Sequence, residues 1–294
     1  MKRISDNVIV LGNGFLNYYI VGNKEAAIIE CGISAGVELF KKDWVQLQEK
    51  PNIKYILAMH SHFDHVCGIP SLKELFPDAK VVASEVCKKL LSKERIVKAM
   101  FQGDSITTDS YIKNELLENK PVSRDIEEIN VDMIVKDGDC INLDNELTLE
   151  ILETPGHSPC SISAYLANDK VMFVSDATGY KAEDGKFSPV FFQDYDTYLN
   201  TINRLKSYPT QVLGVAHGDI PTGNAVNSFY QESLKAAYEA FDTISNKLKD
   251  GYSEQELAEE MYNIYIKGAL ALYPKEMMLG SMHLLIKNVK AKLE

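Results

Sequence analysis

No stretch of the sequence approaches the ~20 consecutive apolar residues that a membrane span needs. The opening MKRISDNVIV also lacks the apolar core and small-residue cleavage site of a secretory signal. The expectation is a cytoplasmic protein with no membrane partner. Cysteine is scarce: Cys31, Cys67, Cys87, Cys140 and Cys160 are odd in number, scattered, and never in a C-x-x-C pair. A chain of this length needs no disulfide staples, so reduced thiols are expected. Positive charge is in deficit, with 31 Lys and Arg against 42 Asp and Glu, a net charge of −11. That excess repels a phosphate backbone and argues against a nucleic-acid partner. The one basic stretch, KKLLSKERIVK from Lys88 to Lys98, reads as a solvated helix face. Solenoid-period repeats, low-complexity segments and long Pro- or Ser-rich linkers are all missing.

What is present is an ordinary globular composition, 45% hydrophobic and 25% charged over 294 residues, enough for one large domain or a domain with an appendage. NVIVLG, NYYIVG and EAAIIECG read as a strand meander punctuated by Gly and Asn. Ser34 is expected to cap a helix reaching about Glu49, with Val37, Phe40, Trp44 and Leu47 on one face. IKYILAM reads as a buried strand, PSLKELF as a short helix opened by Pro70, and AKVVAS as a strand, with helical pieces from Glu85 to Asn119. A second strand-rich stretch contains LTLEILETP and the hairpin SISAYLANDKVMFVSDA, and then a helix in YDTYLNTINRLKSY precedes the strand QVLGVAHG. Two β-rich halves with interspersed helices suggest two packed sheets with helices outside, among other α/β layerings. Beyond Gly223 the character turns helical. Tyr230, Leu234, Ala237, Phe241, Ile244 and Leu248 form an apolar stripe before Gly251, SEQE at Ser253 to Glu256 is a capping-box pattern, and Pro274 opens a third helix. The division expected is 1–223 as a catalytic domain and 224–294 as a helical cap.

MHSHFDHVCG, Met59 to Gly68, holds three of the six histidines and an aspartate directly after a strand. His60 and His62 are two apart in extended backbone and so point to one side, while Asp64 and His65 belong to the following turn. His157 in TPGHSP, Asp176 in VMFVSDA and His217 in GVAHGD also follow β-runs, where loops at one rim of a sheet meet. Any one buried histidine is more often satisfied by hydrogen bonds than by a metal. Three imidazoles and a carboxylate side by side are different, because without a cation they leave desolvated polar groups unpaired.

HSHFDH, TPGHSP, SDA and AHGD, in this order, resemble the metal motifs of the metallo-β-lactamase superfamily over about Asn7 to Asp219. That resemblance implies an αββα sandwich, one metal on His60, His62 and His157, a second on Asp64, His65 and His217, and Asp176 bridging them. Two such ions lower the pKa of a bridging water so that hydroxide is available near neutral pH, and the mixed nitrogen and oxygen donors suit two Zn, Fe or Mn ions per chain. Asp64 is also assigned a catalytic part, through its hold on the metal and its water. Asp at 176 leaves out the sulfur ligand of true β-lactamases, and Cys67 and Cys160 read as packing residues. AHGDIPTGN offers no Lys or Arg to assist an amide nitrogen, whereas a thiol with pKa near ~8.5 departs readily as thiolate. Thioesters and activated esters therefore fit best as small-molecule substrates, and the Arg/Lys-rich glutathione signature of glyoxalase-II-like enzymes is missing from the C-terminal stretch.

AIIECGIS, SDATGYKAEDGKFSPVFFQDYDTYLNTINRL and YPKEMMLGSM resemble the thioesterases of bacterial alkylquinolone biosynthesis almost end to end. Those enzymes cleave 2-aminobenzoylacetyl-CoA and are known for partnering a quorum-sensing regulator. The resemblance implies a helical tail folded over the site and Ser281 at the substrate pocket, with Tyr180, Met277 and Met278 as further substrate contacts. It departs at Tyr180, where that group has an acidic residue, and around Lys235, Tyr238 and Glu239, where its arginine cluster is replaced. His283 reads as a surface or packing residue. Two other readings stay open: a mononuclear iron oxygenase on the same fold, using part of the ligand set, and a regulator-binding protein with a structural metal site. A homodimer through the C-terminal helices is the alternative use of their apolar stripe.

Overall fold

The computed structural model describes residues 1–122, 124–144 and 147–293. The first sheet takes its seven strands in chain order: β1 (Lys2–Ser5), β2 (Val8–Gly12), β3 (Asn17–Val21), β4 (Glu25–Ile29), β5 (Asn52–Leu57), β6 (Lys80–Ser84) and β7 (Met133–Val135). Tight turns make β1 to β4 antiparallel, whereas β4 to β7 are parallel. Parallel neighbours need crossovers, and helices supply them: α1 (Ser34–Gln46), then α2 (Phe63–Val66) with α3 (Ile69–Leu75), then α4 (Glu85–Leu91) with α5 (Glu94–Lys113). The second sheet contains β8 (Cys140–Asn142), β9 (Thr148–Glu153), β10 (Ile162–Leu166) and β11 (Val171–Ser175), all antiparallel. After a ribbon of β12 (Tyr180–Lys181) with β13 (Phe187–Ser188) and helix α6 (Tyr195–Lys206), β14 (Val212–Val215) adds parallel to β11.

Period-two alternation sends neighbouring side chains to opposite faces. Tyr19, Ile29, Leu57, Val82, Leu149 and Phe173 meet between the sheets. Tyr18, Ile20, Ile28 and Ile56 turn outward into the layer that holds Phe40, Trp44 and Leu72 of the helices. The result is the αββα sandwich that the sequence led us to expect. Helix α1 departs in detail. Ser34 is its first residue rather than its cap, Ile33 holds the N-cap position with no side-chain bond, and the helix stops at Gln46. The buried Asp104 carboxylate of α5 accepts from the Ser34 N–H at 2.8 Å. A tertiary carboxylate thus satisfies the helix start that a local hydroxyl was expected to satisfy.

The tail consists of α7 (Asn224–Lys249), α8 (Glu254–Tyr265), a 3-10 turn at Gly268–Leu272 and α9 (Lys275–Leu293). Its boundaries follow the sequence signals. Gly251 takes φ +86° just past α7, and Ser253 with Glu256 forms a reciprocal capping box. The α7 stripe is covered by this chain itself. Tyr230, Ala237 and Ile244 are buried, Tyr195 stacks on Phe241, Phe229 packs edge-on against Phe187, and the Ser233 hydroxyl donates to Thr178 O. From α9, Asn288 donates to the carbonyls of Phe191 and Phe192 at 3.1 and 2.9 Å, tying the tail to the loop before α6. Among the described residues no helix is long and apolar enough to cross a membrane.

Candidate metal centre

The site lies where β5, β9, β11 and β14 end. His60 and His62 follow β5, His62 holds the N-cap position of α2, and Asp64 and His65 lie inside that one-turn helix. The tight turn with His157 is pressed against α6. Gly156 has φ +123° there, and a Cβ would lie 2.4 Å from Tyr198 Cα, so only glycine fits. Asp176 leaves β11 through Ser175, which takes the left-handed φ of +49° beside an irregularity in the β11–β14 register. Glu30, past β4, is also left-handed at φ +71°. Such residues cost on the order of 1–3 kcal/mol each and gather where function dictates backbone aim.

Two donor groups result, His60, His62, His157 and Asp176 in one, and Asp64, His65 and His217 in the other. In the first, His62 Nδ1 lies 3.0 Å from His60 Nε2 and 2.9 Å from His157 Nε2, and those two Nε2 atoms are 3.3 Å apart. In the second, Asp64 Oδ2 is 3.5 Å from His65 Nε2 and 3.6 Å from His217 Nε2. Asp176 faces both. Its Oδ2 is 3.8, 3.5 and 3.2 Å from the Nε2 atoms of His60, His157 and His65, and its Oδ1 is 3.6 Å from that of His217.

These donors fit divalent ions on chemical grounds. His157 Nδ1 faces Val190 O at 3.0 Å, His217 Nδ1 faces Phe15 O at 2.6 Å, and His65 Nδ1 faces Glu30 Oε2 at 2.7 Å. Each acceptor demands a proton on Nδ1, so in the neutral ring Nε2 turns a lone pair inward. Lone pairs about 3 Å apart repel, and among the described residues no well-aligned hydrogen bond reaches buried His65 Nε2. Burial first, then the neighbouring imidazoles, hold His60 well below its usual value, and burial with His62 brings His157 down to about 4. Burial pushes the Asp64 and Asp176 carboxyls up, but His65 and His217 outweigh it and hold both well below the carboxylate range. The His65 ring is lowered by burial yet raised overall by Asp64, Asp176 and Glu30. His60 and His157 are thus neutral beside ionised carboxylates, the state in which such groups bind metal, whereas His65 has to give up its Nε2 proton for an ion to bind there.

Tyr180, Met277, Met278 and Ser281 all line a cavity of about 610 Å³ whose floor includes His62, Asp64, His157, Asp176 and His217. The structure therefore brings together every site residue that the sequence singled out. Sequence reasoning missed Tyr273, whose hydroxyl donates to Asp64 Oδ2 at 2.6 Å from just before α9, and Glu30, which holds His65. Cys67 is a buried packing residue, but Cys160 does more. Its sulfur accepts from Ser61 N at 3.3 Å and contacts the Ser61 and Ser158 hydroxyls, linking the two ligand-bearing loops. The Cys87 thiol, then the serines, bring Cys160 down to about 6 against burial.

A family profile described as the Metallo-beta-lactamase superfamily matches residues 11–217. The chain belongs to the metallo-β-lactamase superfamily. That superfamily consists mostly of metal-dependent hydrolases and typically binds divalent metals. A metallo-β-lactamase fold-containing protein of Sulfurisphaera tokodaii is 22% identical over 224 residues, 74% of this chain and 77% of its own. A hydroxyacylglutathione hydrolase of Francisella tularensis subsp. novicida is 26% identical over 169 residues, 56% of this chain and 49% of its own length. Among solved superfamily structures, an archaeal protein from Sulfolobus tokodaii superposes with TM-score 0.61 at 20% identity, covering 97% of this chain and 98% of that one. A family protein from Thermus thermophilus reaches 0.67 at 17% identity, covering 99% and 95%. Likeness at these identities concerns the fold.

Proposed function

We infer that the chain is a two-metal hydrolase of thioesters or comparably activated esters. The observation that carries this reading is Asp176, whose two oxygens face the two donor groups. Divalent Zn, Fe or Mn ions held there supply a nucleophile from water near neutral pH and polarise the substrate carbonyl. The residues of the chain hold and orient. Glu30, Val190 O and Phe15 O keep the outward ring protons of His65, His157 and His217 in place, so the inward lone pairs stay aimed. Asp64 is a ligand fixed in orientation by Tyr273, which is the catalytic part assigned to it. Phe63, Phe192 and the methionines of α9 line the cavity with apolar surface.

Leaving-group chemistry selects the bond. No Lys or Arg follows His217 in AHGDIPTGN to help an amide nitrogen depart, whereas a thiolate needs little protonation. The hydroxyacylglutathione hydrolases among the relatives are compatible with this choice. An aromatic acyl group of the kind cleaved by the alkylquinolone thioesterases suits walls made by Tyr180, Met277, Met278 and Ser281, with residues 1–223 as catalytic domain and 224–294 as cap. No regulator partnership is included, because the α7 face carries the Lys235–Glu239 ion pair and exposed Tyr238 in place of an arginine cluster.

Turnover of matched thioesters, amides and phosphodiesters by the metal-loaded protein at pH 7 tests the reading. Thioesters should lead by roughly a hundredfold or more, given the leaving-group difference. Phosphodiester or amide cleavage outpacing every ester would overturn it, and a single bound ion with oxygen uptake would favour the oxygenase.

A further inference from the structure

We propose that Arg95 forms an anion subsite at the mouth of the pocket, so that the substrate is an amphiphile with an apolar body against the α5 and α9 walls and an anionic group on this guanidinium. The proposal rests on the ester-hydrolase reading and deepens it by naming the substrate class. Only four arginines occur in the chain. Arg124 pairs with Glu74, Arg204 with Asp137, and Arg3 donates to Asp6 O. Arg95 alone has no ion pair or hydrogen bond among the described residues, in a chain where acids outnumber bases by 42 to 31. Its near neighbour Glu94 is engaged by Lys98 at 2.6 Å.

The position is as telling as the missing partner. Arg95 lies exposed in the first turn of α5, where positive charge opposes the helix dipole. From there it lines the same cavity as Asp64 and Asp176, beside Ile96 and Met100 and with Met277 and Leu284 of α9 among the other walls. The remaining polar wall groups have partners within the protein. Ser188 donates to Tyr265 O, Ser281 to Met277 O and Tyr273 to Asp64, while the Tyr180 hydroxyl accepts from Ala269 N and Ser61 contacts Cys160. Arg95 is therefore the wall group left to recognise a charged part of the ligand. A planar guanidinium in this setting suits a phosphate or a carboxylate. The anion could be carried by the thiol half or by the acyl half of a thioester.

The experiment measures binding of non-hydrolysable thioethers to the metal-loaded wild type and to Arg95→Gln and Arg95→Lys. S-hexyl-coenzyme A places phosphates on the thiol half, S-(5-carboxypentyl)-pantetheine places a carboxylate on the acyl half, and S-hexyl-pantetheine is neutral. The wild type should prefer at least one anionic probe over the neutral one by roughly tenfold, as expected of one charge-assisted contact. Arg95→Gln should abolish that preference and leave the neutral probe within about twofold, and Arg95→Lys should keep part of it. Whichever anionic probe loses affinity identifies the half that carries the charge. No preference in the wild type, or a preference that survives Arg95→Gln, would overturn the proposal. Hydrolysis of the matching thioesters is scored separately. Failure to turn over any of them, with binding discrimination intact, would bring down the thioester reading and leave Arg95 as an anion subsite.

Discussion

Behind each inward-facing nitrogen of His65, His157 and His217 stands an acceptor that fixes which nitrogen is bare. Tyr273 does the same for Asp64, and Tyr273→Phe keeps the ring against Phe15 and Phe63 while removing the donor. We expect it to weaken the ion at Asp64, His65 and His217 by about 10- to 100-fold, the usual effect of losing an outer-shell partner. Chelator competition measures this, and unchanged affinity would show that the phenol does not support the ligand. Gly156→Ala should destabilise by roughly 2 kcal/mol or more, since its Cβ meets the Tyr198 backbone in a conformation few side chains adopt. Urea unfolding checks it, with an unchanged midpoint as the contrary result. At this scale the ligands were legible because a scarce residue type recurs at strand ends. Glu30 and Tyr273 were not, because hydrogen-bond partners far apart in sequence leave no local pattern.

Between elements, the wall made by α9 and the contact of α5 with α1 give two further tests. Ser281 lines the cavity, so Ser281→Phe should lower kcat/KM for bulky aromatic acyl substrates by roughly tenfold more than for a small activated ester, without changing metal content. Equal losses on both would remove α9 from the specificity account. Burial raises the Asp104 carboxyl against the opposing Ser34 N–H. An acid raised on folding binds more protons in the native state, so its contribution to stability is present below the unfolded value of ~3.9 and is lost as pH rises through the folded value. The stability of Asp104→Asn relative to wild type should therefore rise across that window. A flat difference would contradict the assignment. The same contact explains why the start of α1 could not be read locally, whereas the capping box of α8 and the glycine after α7 could, being written within a few consecutive residues.

Over the whole molecule, two sheets pack through one apolar layer and the tail closes on the rim from which the ligands project. The two β-rich halves suggested two packed sheets among other layerings, and the motif resemblance singled out the αββα sandwich. The seating of the tail was foreshadowed only by its stripe, since a stripe says that a helix must pack and not where. Ligands that bind only the folded state stabilise it, so removing metal should lower the melting temperature. At a free metal concentration of 100 Kd, each ion contributes about 2.7 kcal/mol, and a melting temperature unaffected by chelation would mean that no resident ion is coupled to the fold. The count of bound metal is the sharpest test. After equilibration with excess Zn²⁺, Fe²⁺ or Mn²⁺, the wild type should hold about two ions per chain, and Asp176→Ala should bind both more weakly. A wild-type count of one, unmoved by further metal, would contradict the two-metal account.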